Sequence, residues 1–257
     1  MIQSKNPKSA AIELRKSIGW IKPSDFTLVE VAACLGISIK EVQMSGSDGR
    51  ISRNGDNGII SINSNIDYQH SKNFIIAHEI GHFLLHKELM ICSDTRKTLS
   101  DWHKKGPQEE EANTFASELL MPSNDFKREI EGERMSLELI DDVSQYFKVS
   151  KLSAFIKYVS LGDYPVMVIY MEDGVVRWKD HSSDFPFQYL AYNSKIPPLT
   201  VAGDCFYHNS IESEPERVDA IEWFPEDYKI KYQKDFQFWE QCYKVSDNGI
   251  VSCLWTD

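Results

Sequence analysis

The sequence predicts an α+β protein in two parts: a largely helical first part holding a small β-hairpin, then an α+β second part. Three observations carry that expectation. Apolar residues recur at helical spacing in six stretches of residues 7–161. Within that stretch RNGDNG, set between ISR and IISIN, has the pattern of a tight hairpin. After Gly162 the character changes, and YPVMVIYMEDGVVRWKD reads as two strands joined at Glu172-Asp173-Gly174.

Taken in order, Pro7–Ile18 places Ala11, Leu14 and Ile18 on one helical face. A second helix runs from Leu28 to Leu35 and stops at Gly36. After the hairpin, Lys72–His86 is a strongly apolar helix. From Glu88 to Pro107 the chain is polar and without period, and loops this long inside domains are often functional. A helix over Gln108–Leu120 ends before Pro122, because the residue before proline disfavours helix. Helices at Ser136–Phe147 and Ser150–Leu161 follow. In the second part DAIEWF and GIVSCLW read as strands, and Tyr228–Tyr243, rich in aromatic and charged residues, reads as a helix. The expected organisation is a core over 1–125, a helical extension over 126–162 and a C-terminal α+β domain over 163–257.

Composition bounds the function classes. With 257 residues, 42% hydrophobic and 26% charged, the chain can bury a core without disulfides. There is no uncharged apolar run of membrane-spanning length, and MIQSKNPKSAAIELRKSIGW lacks the apolar stretch of a signal peptide. No membrane partner is expected. The cysteines at 34, 92, 205, 242 and 253 are odd in number and scattered without a C-x-x-C pair. That speaks against a zinc ribbon or a disulfide framework and fits a cytoplasmic location. Of the net charge of −11, −9 falls on residues 163–257, where 8 Lys and Arg face 17 Asp and Glu. Such a surface is a poor platform for gripping phosphates along its whole length.

The chemistry concentrates in NFIIAHEIGHFLLH, residues 73–86, which contains His78-Glu79-Ile80-Gly81-His82. Positions i and i+4 of a helix share a face, so two imidazoles there can bind one ion. Glu79 is offset by about 100° from His78 and is free to act as general base on an attacking water. The surrounding Ile75, Ile76, Ala77, Ile80, Phe83, Leu84 and Leu85 require the helix to be buried. Burying two histidines and a glutamate is costly unless something pairs with them, and a metal pairs with all three. Catalytic zinc usually takes a third protein ligand and keeps one position open. In QEEEANTFASELLMP the apolar stripe is Ala112, Phe115, Ala116, Leu119 and Leu120. Glu109 lies on that stripe, whereas Glu110 and Glu111 point to solvent and favour the helix N-terminus. Asn113, one turn after Glu109, is a candidate to orient its carboxylate.

The runs Phe74-x-x-Ala77-His78-Glu79-Ile80-Gly81-His82-x-x-Leu85-His86 and Glu109-x-x-Ala112-Asn113-x-Phe115-Ala116-x-x-Leu119-Leu120-Met121-Pro122 resemble the ImmA/IrrE metallopeptidases, the M78 peptidase family. The resemblance covers about residues 25–160, including the hairpin before the zinc helix. It implies a zincin-like peptidase core with Zn2+ held by His78, His82 and Glu109 and with Glu79 catalytic. It also implies a substrate, a helix-turn-helix repressor whose cleavage derepresses stress, mobile-element or defence genes, often after DNA damage. Residues 163–257 would then be a GAF-like sensory domain reading a nucleic-acid or small-molecule signal.

Weaker signals complete the reading. His86, a turn beyond His82, is an outer hydrogen-bond donor or a capped surface histidine ahead of a fourth neighbour of the metal. Tyr68, His70 and His103 flank the motif and are candidates to polarise a scissile carbonyl. Cys92 has an ordinary reading as a small half-buried thiol. Its sharper reading is a thiolate that occupies the open zinc position, so that Cys92→Ser would raise basal cleavage. FTLVEVAACLGISIKEV has the cadence of a DNA-binding helix pair, but its second half offers little beyond Lys40 and Gln43 to bases. SLELIDDVSQYFKVSKLSAFIKYV, with Lys148, Lys151 and Lys157, is a second such stretch. The rival function is a ligand- or DNA-responsive transcription regulator with a structural or vestigial zinc site.

Overall fold

Asn6 starts the first helix, α1 (Pro7–Ile18): its side chain accepts from the Ser9 N–H, and Pro7 fills the position where a missing N–H costs nothing. The computed structural model describes residues 4–86, 106–210 and 214–256, together with the backbone of 91–93. A reciprocal capping box between Thr27 and Glu30 opens α2 (Leu28–Cys34). The chain then turns directly into β1 (Ile37–Val42). The hairpin of β2 (Gly49–Asn54) and β3 (Asn57–Asn63) pairs Asn54 with Asn57, and Gly55 supplies the positive φ of 63° that the turn needs. β1 runs parallel to β3, and a short β4 (Ile91–Ser93) lies antiparallel to β2, giving the order β1-β3-β2-β4.

Three helices follow in this first unit. They are α3 (Gln69–Leu85), α4 (Pro107–Leu120) and α5 (Ser123–Ile130). Residues 76–83 of α3 are buried without a break, as its apolar composition requires. Around them lie Ala10, Ala11 and Leu14 of α1, Ile60 and Ile62 of β3, and Ala112, Phe115, Ala116 and Leu119 of α4. The unit comprises Met1–Glu129 and Val143–Ser150. α6 (Leu137–Phe147) is divided between the two units, and α7 (Lys151–Leu161) belongs to the second.

The second unit, Ile130–Asp142 with Lys151–Asp257, is built on an antiparallel sheet. Its strands are β5 (Val166–Glu172), β6 (Val175–His181), β7 (Glu216–Asp219), β8 (Gln237–Lys244) and β9 (Gly249–Trp255), in the order β6-β5-β9-β8-β7. Alternate residues of a strand face opposite sides. Met167, Ile169, Phe238, Cys242 and Leu254 line one face, packing with Phe185, Phe187, Trp223 and Phe224. Phe155 of α7 stacks on Tyr243, so that helix covers the other face. Two short helices, α8 (Val201–Tyr207) and α9 (Ala220–Trp223), and a 3-10 turn at Tyr228–Tyr232 complete the unit.

Several expectations need correction. Tyr228–Tyr243 is not a helix, since its second half is strand β8. The inward face of β8 carries Glu240 between Phe238 and Cys242, and a charged residue at a core position hides the period of two. DAIEWF is not a strand. Ala220, Trp223 and Phe224 are buried at helical spacing, which makes α9. The segment after Gly36 is strand β1, so no second helix follows α2 and no helix-turn-helix forms there. Helices α5 and α8, of eight and seven residues, were not expected; in α5 Phe126 and Ile130 are buried one turn apart, a period too short to stand out in the sequence.

Candidate metal centre

Gly81 brings the two motif helices together. A Cβ there would stand 3.0 Å from Phe115 Cδ1 and 3.3 Å from the Cα and carbonyl oxygen of Ala112. Only a residue without a side chain lets α3 rest on the α4 backbone this closely. The consequence is that His78 and His82, one turn apart on α3, meet Glu109 in the first turn of α4.

The donor atoms form a small triangle. His78 Nε2 and His82 Nε2 are 3.0 Å apart, His78 Nε2 is 3.3 Å from Glu109 Oε2, and His82 Nε2 is 3.2 Å from Glu109 Oε1. Tetrahedral zinc with bonds of ~2.0–2.1 Å needs donors roughly 3.3–3.4 Å apart, so the triangle matches within a few tenths of an ångström. Both imidazoles are 3% exposed, and the Glu109 side chain is 24% exposed. The group is therefore dry on the histidine side and open beside the carboxylate. Burial works to raise the Glu109 carboxyl, but its hydrogen bonds to His78 and His82 and their Coulomb attraction reverse this and hold it well below the ordinary range. The residues fit a divalent transition metal of nitrogen and oxygen preference, zinc foremost.

The outer ring nitrogens are also engaged. His78 Nδ1 lies 2.9 Å from Asn113 Oδ1, an acceptor for the Nδ1–H that a His78 ligating through Nε2 would carry. Asn113 therefore serves His78, not the Glu109 carboxylate. His82 Nδ1 lies 2.9 Å from His86 Nδ1, and His86 Nε2 lies 2.8 Å from Glu111 Oε2. His86 is thus a partner of His82 and has no place in the donor triangle. Glu111 is solvent-exposed as expected, yet its carboxylate turns back onto His86, a contact that helical periodicity alone does not reveal.

Glu79 is 1% exposed, and Gly49 at the start of β2 lies against it. A Cβ on Gly49 would stand 3.0 Å from Glu79 Oε1 and 2.4 Å from Ile75 Cγ2. Nothing in the sequence singled out Gly49. Tyr68 and His70 stack on each other, with ring centroids 5.5 Å apart. The backbone of Cys92 pairs with Ile51 in the sheet, but its side chain, like all of His103, lies outside the described residues.

Residues 32–156 match the family model described as Peptidase M78, IrrE N-terminal-like domain. The chain carries an M78 peptidase domain. Within it lie both motif helices and the hairpin that precedes them. The chain is also similar to Metallopeptidase ImmA of Bacillus subtilis (strain 168), 41% identical over 71 residues, or 26% of this chain and 36% of that protein. The match thus spans little more than a third of that relative. A solved Mycobacterium tuberculosis structure described as a transcriptional regulator superposes with a TM-score of 0.64 over 98% of this chain and 76% of its own. At 15% identity that likeness is one of fold.

Proposed function

We propose that this M78 domain is a zinc-dependent endopeptidase that cuts a partner helix-turn-helix repressor and so relieves repression of stress, mobile-element or defence genes. The observation that carries the reading is the buried triangle of His78, His82 and Glu109. His78, His82 and Glu109 would hold the ion. When bound, zinc supplies Lewis acidity at the scissile carbonyl and acidifies the attacking water. Glu79 takes the proton of that water and delivers it to the leaving amine. Its place beside His78 on the buried stretch of α3 supports this role. Among the described residues no helix is long and apolar enough to cross a membrane, in keeping with a cytoplasmic regulatory protease. The antiparallel second unit is a GAF-like sensory domain in this reading, answering a nucleic-acid or small-molecule signal.

The test is to incubate the zinc-loaded chain with candidate helix-turn-helix repressors, beginning with any encoded in neighbouring reading frames, and read fragments by intact-mass spectrometry. Wild type should give discrete fragments from the repressor that is its substrate. Glu79→Gln keeps zinc but lowers cleavage by at least about 100-fold. Equal cleavage by that variant contradicts the mechanism.

A second reading, a ligand- or DNA-responsive regulator with a structural or vestigial zinc site, is favoured by the fold likeness to a protein described as a transcriptional regulator. Against DNA contact through α6 and α7, Lys157 is buried and Lys151 pairs with Asp141 at 2.8 Å. Steeply salt-dependent binding of duplex by the purified chain would favour this second reading.

A further inference from the structure

Both metal-facing histidines have an outer partner, and the two partners differ in kind. His78 meets a neutral amide oxygen on the neighbouring helix. His82 meets a second imidazole, which itself meets a carboxylate: His82 Nδ1 to His86 Nδ1 at 2.9 Å, then His86 Nε2 to Glu111 Oε2 at 2.8 Å. We propose that Glu111, acting through His86, is a positioning residue that holds the His82 ring with its Nε2 turned into the triangle. In doing so it sets how tightly the metal is held. The proposal rests on the metal-centre reading above.

Hydrogen-bond direction decides the case. A carboxylate only accepts, so the proton between His86 and Glu111 sits on His86 Nε2. A His82 that ligates through the Nε2 lone pair carries its N–H on Nδ1, and the contact to His86 is made only if His86 Nδ1 accepts it. Remove the carboxylate and His86 can adopt either tautomer. One of these places N–H on both sides of the contact unless His82 also switches, which turns a proton toward the metal position. The side-chain burial supports a device rather than a chance surface pair. His86 has a side chain only 6% exposed, whereas Glu111 is 47% exposed and reaches inward to it. Glu111 and Glu109 leave the first turns of one helix, so a single element delivers both a carboxylate to the triangle and a carboxylate to its support.

The experiment measures Zn2+ affinity of the apo full chain by competition with a chromophoric chelator, for wild type, Glu111→Ala, Glu111→Gln, His86→Ala and the double variant Glu111→Ala/His86→Ala. Glu110→Ala, which removes an exposed charge from the adjacent position, is the control for a general field effect. Glu111→Ala should weaken zinc by about 10–100-fold, the range for lost outer partners of a ligating histidine. Glu111→Gln, whose amide oxygen still accepts from His86 Nε2, should lose less. His86→Ala should lose as much as the double variant, because the two residues act as one chain. Glu110→Ala should change affinity by no more than about twofold. Glu111→Ala and Glu111→Gln both remove the charge, so a smaller loss in Glu111→Gln separates the hydrogen bond from charge or packing. The proposal is overturned if Glu111→Ala binds zinc as wild type does, if Glu110→Ala weakens it equally, or if Glu111→Gln loses as much as Glu111→Ala. Wild type that binds no stoichiometric zinc would instead overturn the metal-centre reading, and this proposal with it.

Discussion

Replacing Gly49 by alanine tests the geometry around Glu79. The new methyl carbon would lie 2.4 Å from Ile75 Cγ2, 3.0 Å from Glu79 Oε1 and 3.4 Å from Glu79 Cγ. Carbon–carbon contacts settle at ~3.5–4.0 Å, so the Ile75 contact alone asks for a shift of roughly 1.1–1.6 Å. Overpacking of this kind costs about 1–3 kcal/mol. In a unit of this size that corresponds to a Tm lower by roughly 3–12 °C. The Glu79 carboxylate must retreat by a few tenths of an ångström, and a misplacement of 1 Å at a reacting group costs about 100-fold in rate, so cleavage should fall by about 10-fold. The two effects can be separated. Ile75→Leu removes the Cγ2 methyl while conserving volume, so Gly49→Ala/Ile75→Leu should regain most of the Tm. Its cleavage should stay low, because the Glu79 contact remains. Thermal melts and mass-spectrometric cleavage assays on the four proteins read both quantities. A Gly49→Ala protein with wild-type Tm and wild-type cleavage would refute the reasoning, as would a double variant that recovers both.

Two further outcomes follow from the second unit. Fully buried Glu240 accepts from Val201 N–H and Trp223 Nε1 through one oxygen and from Ala202 N–H and Ser252 Oγ through the other. Each oxygen faces a backbone donor, so neither orientation of a glutamine satisfies both, and Glu240→Gln should destabilise the unit by about 1–3 kcal/mol in denaturant titration. Unchanged stability would show that α8 is not pinned through this residue. Asp227 accepts from the N–H groups of Gln188, Tyr189 and Lys229. Burial works to raise its carboxyl, but those bonds more than offset it, so the folded value lies below the ordinary one. Its contribution is therefore present above the unfolded pKa and lost as pH falls through the folded one. Melts of Asp227→Asn should show a shallower acid decline than wild type, and parallel curves would contradict the assignment.

The parts of the fold legible in the sequence are those where one physical signal dominates. An apolar helix bearing two histidines a turn apart, a glutamate on the apolar stripe of α4 and an asparagine-glycine hairpin each leave a local pattern that tertiary contacts do not disturb. What escaped was decided by distant partners. Strand β1 gains its identity by pairing with β3, across the hairpin from it in sequence, and β8 hides its alternation behind a glutamate whose donors sit on α8, α9 and β9. At the site, the outward position of Glu111 was legible from helical period. Its return to His86 depends on where α3 ends beside α4, which no single-helix pattern encodes. Gly49 is the same kind of case, because a close approach between a strand and a helix has no signature in either segment alone.

The central claim is that His78, His82 and Glu109 hold a zinc ion between α3 and α4. Equilibrium dialysis against Zn2+, comparing wild type with Glu109→Ala and reading metal by elemental analysis, addresses it most directly. The account predicts one zinc per chain for wild type and a substoichiometric content for the variant at the same free zinc. A wild-type chain without bound zinc, or a Glu109→Ala chain that holds it as tightly as wild type, would contradict it.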